Sequence, residues 1–359
     1  MSQLFDKPCT RRNALALALM GAVAPHALAQ APAGTAVKGT GATSVSRIYA
    51  AWIEGFSAAQ RGGVKVQYAG MGSGEGVRAI TAREVAFGAS DERLSAQELA
   101  TRKLVQVPAV VLGIAPVVNL PGVATGALRL DSVVLAGIFL GQIKQGNDPA
   151  VAALNPQIKL PALPIRRVVS AQASGTTASF THFLALSSPE WKALAGLSPK
   201  WPGEVMAAPG SDAVVEKLRT VPGAIGFVGY DRVHRAGLST VSLKNAAGRF
   251  VSISPISQQA AVNSSGVRDN LNASLLNAPG PDSWPLTTLT YLLLDATPTA
   301  ASAAATSVAA QLIHWGLING DPIVRSNGYV PLPPNVQAVA FASLASLRGP
   351  GGEVLVMPR

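Results

Sequence analysis

Hydrophobic residues recur along this chain at two alternating spacings. In residues 64–68 apolar and polar side chains alternate one by one, as in a β-strand with one buried face. The preceding segment carries apolar residues at helical spacing, which would bury one face of a helix: Val45, Ile48, Tyr49, Trp52 and Phe56. The pattern therefore predicts a helix followed by a strand.

The same alternation continues to the end of the chain. An apolar strand is predicted at 84–89, leading into Ser90 and Asp91, and Ser95 with Glu98 has the spacing of a capping box that opens a helix. The later elements are consecutive buried strands over 105–120, strands at 165–169 and 289–294, a helix over 301–315, a loop at 278–281, and a turn at 349–352 before a C-terminal strand. This order predicts an α/β protein with largely parallel sheets.

Three short segments combine hydroxyl residues and glycines where a helix is predicted to begin. They are residues 39–44, 70–74 and 173–177. The first turn of a helix leaves backbone N–H groups without partners, and the helix dipole adds about half a positive charge there. One such end binds anions in general. Three ends that converge would form a cage for a small oxyanion.

The N-terminal segment has the features of a secretory signal peptide. Lys7, Arg11 and Arg12 precede an apolar run at 14–24, and residues 27–29 have the A-x-A pattern of a cleavage site, which predicts cutting after Ala29. General secretion and twin-arginine export both fit this segment. The one cysteine, Cys9, lies within it. The mature chain is thus expected to use neither disulfides nor thiolate chemistry.

Charge and length narrow the function further. The chain has 359 residues and a net charge of +10, and loss of residues 1–29 would remove three basic groups and one acidic group, leaving +8. The basic residues are scattered, without a run or interleaved aromatic residues, so nucleic-acid binding is not expected. No uncharged apolar stretch after the signal approaches the ~20 residues that span a bilayer. About 330 mature residues are enough for two domains.

The chain offers little for catalysis or metal binding. The glycine-rich stretch at 70–76 has neither a G-K-[ST] ending nor a G-x-G-x-x-G spacing, so it does not predict a nucleotide site. The histidines of the mature chain, His182, His234 and His314, are far apart and never at the spacing of metal ligands. No nucleophile–base pair is evident. We therefore expect no enzyme activity, no metal and no cofactor.

The chain resembles the periplasmic phosphate-binding proteins of phosphate ABC importers over nearly all of its mature length. The collinear segments that carry the resemblance are GTGATSVSRIYAAW (39–52), GMGSGEGVRAI (70–80), FGASDERLS (87–95), DSVVLAGIFLGQIKQGNDPAVAALNP (131–156), SGTTASF (174–180), PGAIGFVGY (222–230), DSWPLT (282–287) and HWG (314–316). No short segment is decisive alone, but the ordered set is specific.

The resemblance implies a type II periplasmic binding protein fold, an α/β architecture of two doubly wound domains joined by hinge strands. Domain I would comprise residues 30–112 and 290–359, and domain II residues 113–289. The ligand would lie between them, since open α/β sheets bind ligands beyond their strand carboxyl ends. By position, the implied phosphate ligands are Thr43, the backbone N–H of Ser44, Ser73, Asp91, and the turn of Ser174, Gly175 and Thr176. From the residues alone, Ser73 and Ser174 could also be simple helix caps, and Asp91 a turn residue.

Asp91 is the most informative of these positions. A carboxylate repels an anion unless the anion carries a proton that it can donate. An acceptor here would favour protonated phosphate over fully ionised sulfate, which would leave the buried acceptor unpaired.

One departure from the family pattern stands in the third loop. The family carries an arginine four residues before the S-G-T and an aspartate two residues after that arginine, and these positions are Ser170 and Gln172 here. Arg166 and Arg167 lie upstream, and a three-residue insertion would be needed to bring them into register. Loss of a charge-assisted partner is expected to cost about 1.5–3 kcal/mol of binding free energy.

The resemblance implies a monomeric periplasmic protein that captures inorganic phosphate, or a related tetrahedral oxyanion, and docks on an inner-membrane ABC permease. The departures at Ser170 and Gln172 leave a second hypothesis, a secreted or envelope scaffold of the same fold with weakened or lost phosphate binding and a role outside transport.

Overall fold

The fold is described from a computed structural model, which covers residues 36–267 and 273–356. The predicted signal peptide, with Cys9 and the cleavage site after Ala29, lies outside the described residues. Among the described residues, no helix has both the length and the apolar character that crossing a bilayer requires.

The strands form one large sheet and one small sheet. Their bounds are β1 (Ala36–Gly41), β2 (Lys65–Gly70), β3 (Phe87–Ser90), β4 (Leu104–Val118), β5 (Arg129–Leu130), β6 (Arg166–Ser170), β7 (Met206–Ala208), β8 (Ala224–Gly229), β9 (Ser242–Lys244), β10 (Phe250–Ser252) and β11 (Thr287–Asp295). The large sheet has the order β2-β1-β3-β11-β4-β8-β6-β7, and the small one β10-β9-β5.

Helices follow most of the strands, as the alternation of apolar patterns predicts. They are α1 (Ser46–Ala59), α2 (Ser73–Thr81), α3 (Ala96–Arg102), α4 (Ser132–Leu140), α5 (Pro149–Leu154), α6 (Gly175–Ala185), α7 (Pro189–Leu194), α8 (Gly210–Thr220), α9 (Tyr230–Ala236), α10 (Pro255–Ser264), α11 (Ala303–Asn319), α12 (Asp321–Ser326) and α13 (Pro334–Ala345). Ser95 and Glu98 form the predicted capping box of α3.

Two groups of parallel strands are joined by antiparallel ones. Strands β1, β2 and β3 are mutually parallel and make up the first lobe with α1, α2 and α11, whereas β6, β7 and β8 make up the second lobe with α6, α8 and α9. Strands β4 and β11 connect the lobes and pair antiparallel with each other and with their outer neighbours. The prediction of largely parallel sheets therefore holds within each lobe but not between them.

The connecting strand β4 differs from the expectation of several consecutive strands over 105–120. It is a single strand of fifteen residues that runs from the first lobe into the second. Proline usually interrupts a strand because it has no N–H. Here Pro108 pairs with Tyr291 at the point where the register between β4 and β11 shifts by one residue. Such a bulge accommodates the hydrogen bond that proline cannot make. The proposed domain boundaries at 112/113 and 289/290 fall inside β4 and β11, and remain a prediction.

Two smaller expectations also need correction. Residues 84–86 lie in a turn, and strand β3 begins only at Phe87. No C-terminal strand forms after the turn at 349–352 in the described part of the chain, where Val354 makes only an isolated bridge to Arg348. Both segments have too few ladder partners to extend a sheet. The predicted helix over 301–315 is confirmed as α11.

Helices α1 and α11 pack closely on the first lobe. The predicted apolar face of α1 is confirmed, because Val45, Ile48, Tyr49, Trp52 and Phe56 are each at most 2% exposed. The indole of Trp52 lies against Gly316 of α11, where a Cβ atom would come within 2.3 Å of the ring. Glycine thus lets α11 approach the aromatic face of α1.

This contact generates a stability prediction. Replacing Gly316 with alanine should lower the free energy of unfolding by about 1–3 kcal/mol, because the methyl group overpacks against Trp52. Urea unfolding followed by tryptophan fluorescence measures the change. Gly63→Ala is the matched control, since its added Cβ would meet its nearest neighbour, the Gln60 carbonyl oxygen, only at 3.4 Å. Equal stability of the two variants would contradict the tight α1–α11 contact.

Candidate functional site

The three hydroxyl- and glycine-rich segments meet where strands end. Strand β1 ends at Gly41, β2 at Gly70 and β6 at Ser170, and each is followed by one of the segments. The helices that come next, α1, α2 and α6, begin at Ser46, Ser73 and Gly175. The N–H groups of first turns have no partners within their helices. Two of them are already in use here, since the Gly74 N–H donates to the Ala173 carbonyl oxygen and the Thr177 N–H donates to Ser174 Oγ.

Asp91, the first residue after β3, is the centre of this cluster. The Ser44 hydroxyl donates a hydrogen bond of 2.6 Å to Asp91 Oδ2, and the Thr176 hydroxyl donates one of 3.1 Å to the same oxygen. The backbone N–H of Asp91 donates to Ser73 Oγ at 3.2 Å. Ser44, Ser73 and Asp91 are each at most 2% exposed. One carboxylate thus connects segments of both lobes.

Small residues make this close approach of the lobes sterically feasible. A Cβ atom on Gly175 would lie 2.7 Å from Asp91 Cβ and 2.7 Å from Ser73 Oγ. The Gly74 N–H donates to the Ala173 carbonyl oxygen at 3.2 Å, a direct backbone contact between the lobes. Any side chain at Gly175 would push the second lobe away from Asp91.

Thr43 and Ser174 lie at the edge of the cluster and have other partners. Thr43 Oγ1 lies 2.9 Å from Ser211 Oγ, which belongs to the first turn of α8. Ser174 Oγ accepts from the Thr177 N–H at 3.4 Å and so serves as the cap of α6. For Ser73 the structure gives a different role from a cap, since its hydroxyl lies in α2 and accepts from Asp91.

The third-loop positions that depart from the family pattern contain no cation. Ser170 Oγ accepts from the Gln172 N–H at 3.1 Å and donates to the Gln172 carbonyl oxygen at 3.2 Å, which forms a local turn. The nearby Arg167 side chain donates instead to the carbonyl oxygens of Phe139 and Glu204. Arg78, which follows the second glycine-rich segment in the sequence, does not replace the family arginine either, because it lies on the surface and pairs with Glu75 and Glu84.

Sequence reasoning missed Arg232, the buried cation nearest to the first loop. Its guanidinium donates to the Thr43 carbonyl oxygen at 2.7 Å and to the Ser44 carbonyl oxygen at 3.1 Å. The sequence did contain a pattern that could have indicated Arg232, because Asp231 and Arg232 follow the fully buried strand β8 almost directly. Charged residues at the carboxyl end of a buried strand are placed at the edge of the sheet where ligands bind.

Burial controls the ionisation of Asp91. It raises the pKa of Asp91 to about 6, while the hydrogen bonds from Ser44 and Thr176 and the charge of Arg232 act in the opposite direction. Asp91 Oδ1 is buried and accepts no hydrogen bond from the described residues. This oxygen is therefore a buried acceptor without a donor, whereas Oδ2 accepts from Ser44 and Thr176.

The arrangement suits a small anion with a proton to donate. The Ser73 hydroxyl accepts from the Asp91 N–H and keeps its own proton for an anionic oxygen, whereas the hydroxyl protons of Ser44 and Thr176 already go to Asp91 Oδ2. The remaining first-turn N–H groups can also donate to the anion, and Asp91 Oδ1 can accept from a protonated oxygen. Groups of histidine, aspartate and glutamate that could hold a metal ion do not occur within residues 36–267 and 273–356.

The raised pKa of Asp91 predicts a pH-dependent stability in the absence of ligand. The folded state holds the proton more firmly than the unfolded state, so the contribution of Asp91 is present below pH 4 and is lost as the pH rises through about 6. A difference of roughly 2 pKa units corresponds to about 3 kcal/mol. Asp91→Asn should remove this part of the pH dependence, as measured by urea unfolding between pH 4 and pH 8.

Glu216→Gln provides the control, since that carboxylate is exposed on α8. We expect its profile to match the wild type. An Asp91→Asn profile with the same slope as the wild type would contradict a buried, proton-retaining Asp91.

Comparison with known proteins places the chain in a family. Residues 27–314 match the family model described as a PBP superfamily domain. The phosphate-binding protein PstS of Xylella fastidiosa (strain 9a5c) is 36% identical over 306 residues, which cover 84% of this chain and 82% of that protein.

Solved structures agree on the fold. The structure of a high affinity periplasmic phosphate-binding protein (PfluDING) bound with phosphate aligns with a TM-score of 0.63 at 24% identity, covering 85% of this chain and 93% of that one. The phosphate-binding protein from Stenotrophomonas maltophilia aligns with a TM-score of 0.61 at 20% identity, covering 86% and 93%. The expected type II periplasmic binding protein fold is confirmed. The chain belongs to the PBP superfamily and, within it, to the family of PstS phosphate-binding proteins.

Proposed function

We propose that this protein captures inorganic phosphate, or a related tetrahedral oxyanion, between its two lobes. The observation that carries the proposal is Asp91, a buried carboxylate whose Oδ1 has no partner among the described residues. The hydroxyls of Ser44, Ser73 and Thr176 surround it, and the curated relatives are phosphate-binding proteins. The ligand set is proposed as Thr43, Ser44, Ser73, Asp91, Ser174, Gly175 and Thr176.

Recognition would rest on matching donors with acceptors. First-turn N–H groups and hydroxyls give the anion its hydrogen bonds, and the helix ends stabilise its charge. Asp91 Oδ1 accepts the hydrogen bond of a protonated phosphate oxygen. Sulfate is fully ionised at neutral pH and has no such hydrogen, so it would leave two buried oxygens facing each other without a proton between them.

Closure of the lobes would couple binding to transport. Strands β4 and β11 are the continuous connections between the lobes, and they would flex as a hinge. An anion held by Ser73 on one lobe and by the turn at 174–176 on the other stabilises the closed form. The closed form would then dock on an inner-membrane ABC permease as a monomer.

The proposed location is the periplasm, with cleavage after Ala29. The signal-like segment at 1–29 supports export, and the structurally similar PfluDING is a periplasmic protein. A binding protein rather than an enzyme is proposed, because the relatives are named as binding proteins and the site contains no paired nucleophile and base.

The scaffold hypothesis, with phosphate binding weakened or lost, is not favoured. It rests on Ser170 and Gln172, yet the remaining polar groups still converge on Asp91, and the curated relatives are phosphate-binding proteins.

Titration calorimetry of the mature protein with phosphate, arsenate and sulfate at pH 7 tests the proposal. Phosphate and arsenate should bind, and sulfate should bind at least ~100-fold more weakly, since a buried acceptor without its hydrogen bond discriminates strongly. Asp91→Asn should narrow this gap, because the new amide can donate to a sulfate oxygen.

The exposed carboxylate Asp282 supplies the control, and Asp282→Asn should retain the wild-type selectivity. Absence of binding at millimolar phosphate would refute the proposed function. Equal affinities for sulfate and phosphate in the wild type would refute the role of Asp91.

A further inference from the structure

Arg232 is buried, which is unusual for an arginine and requires compensating hydrogen bonds and charges. Its side chain is 5% exposed and lies in the first turn of α9, directly beyond strand β8. Strand β8 pairs with β4 through Gly229 and Ile114, so Arg232 is next to the connection between the lobes. Removal of a guanidinium from water is costly unless its hydrogen bonds are replaced.

The partners of Arg232 belong to both lobes. On its own lobe it donates to Asp231 at 3.0 Å and to Asp212 at 3.2 Å. On the first lobe it donates to the carbonyl oxygens of Thr43 and Ser44, nearly 190 residues away in sequence. The Tyr329 hydroxyl donates to the Ser44 carbonyl as well. The guanidinium thus holds the first loop at two consecutive peptide groups.

These hydrogen bonds from Arg232 determine the direction of the N–H groups in the Thr43–Ser44 loop. In a trans peptide the C=O and N–H bonds point in opposite directions, and the described chain contains no cis peptide. With the Thr43 carbonyl held towards Arg232, the Ser44 N–H must point away from it. A charged donor on the carbonyl also polarises the peptide and strengthens the N–H as a donor.

The electrostatics keep this guanidinium charged. Burial by itself lowers the pKa of Arg232, but the neighbouring Asp231, Tyr329 and Asp212 raise it above its ordinary value. The charge of Arg232 in turn stabilises the ionised form of Asp91. A permanent positive charge is therefore present in a site whose third loop has serine at position 170.

We propose that Arg232 is a positioning residue of the anion site, which holds the Thr43–Ser44 loop so that its peptide N–H groups face the ligand, and which adds a permanent positive charge beside it. This inference rests on the proposed phosphate function. Arg232 acts through the loop and through Asp91 rather than by touching the anion.

Calorimetric titration with inorganic phosphate tests this role. Arg232→Gln should weaken binding roughly tenfold or more, the scale of losing charge-assisted hydrogen bonds. Arg235→Gln is the matched control, because Arg235 lies on the same helix and bonds to the same Asp231, at 3.1 Å, but makes its hydrogen bonds and ion pair on its own lobe. We expect this control to stay within about threefold of the wild type.

A second readout separates positioning from a merely structural ion pair. Asp91 faces the hydroxyls of Ser44 and Thr176 and the charges of Arg232 and Asp231, with Tyr49, Tyr68 and Tyr329 also near it. Without the charge of Arg232, the pKa of Asp91 should rise further. Global stability would not isolate this effect, because Arg232 and Arg235 both lower the pKa of the buried Asp231. An NMR titration of the Asp91 carboxyl carbon without phosphate should therefore show a higher pKa of Asp91 in Arg232→Gln but not in Arg235→Gln.

The outcomes distinguish the two proposals. If the wild type binds phosphate and Arg232→Gln binds it as tightly as Arg235→Gln, the role of Arg232 is refuted while the proposed function stands. If the wild type does not bind phosphate, both fall. Should Arg232→Gln fail to fold, Arg232→Lys replaces it, since lysine keeps the charge but cannot hold two carbonyls and Asp231 in one plane. Wild-type affinity in that variant would contradict the positioning role.

Discussion

The rest of the site depends on one constraint, a carboxylate removed from water and left with one free oxygen. Burial raises the pKa of Asp91 to about 6, and only hydroxyl donors and the charge of Arg232 compensate for it. Such a group is costly to keep without a partner. Under the proposed function, a ligand that brings its own proton would satisfy Asp91, and the unfavourable burial would be the source of selectivity.

The fold places this carboxylate by bringing strand ends together. Strands β1 and β3 are parallel neighbours, so the Ser44 loop and Asp91 lie at one edge of the sheet. The turn that contains Gly175 and Thr176 comes from β6, on the far side of β4 and β11. Because these two strands join both lobes in one continuous sheet, a change in their curvature changes the distance from Thr176 to Asp91. Under the proposed function, binding of the anion would therefore be coupled mechanically to lobe closure.

Much of this could be predicted from local sequence, and the remainder could not for physical reasons. The face of α1, the capping box at Ser95 and the hydroxyl-rich helix starts are local patterns, and each is present in the structure. The continuity of β4 through Pro108 depends on a bulge where β4 pairs with β11, and no local sequence pattern predicts that pairing. The role of Arg232 depends on contacts with carbonyl oxygens about 190 residues away. Every residue has a backbone carbonyl, so the sequence does not show which one an arginine will contact.

The most direct test of this account is a crystal structure of the mature protein grown with phosphate. We predict a phosphate ion between the lobes, with one of its oxygens at about 2.5–2.7 Å from Asp91 Oδ1, the distance of a short O–H···O⁻ hydrogen bond. The Ser44 N–H, the Ser73 hydroxyl and the Thr176 N–H should donate to its other oxygens. A phosphate bound elsewhere, or one that keeps its oxygens away from Asp91, would contradict the central claim.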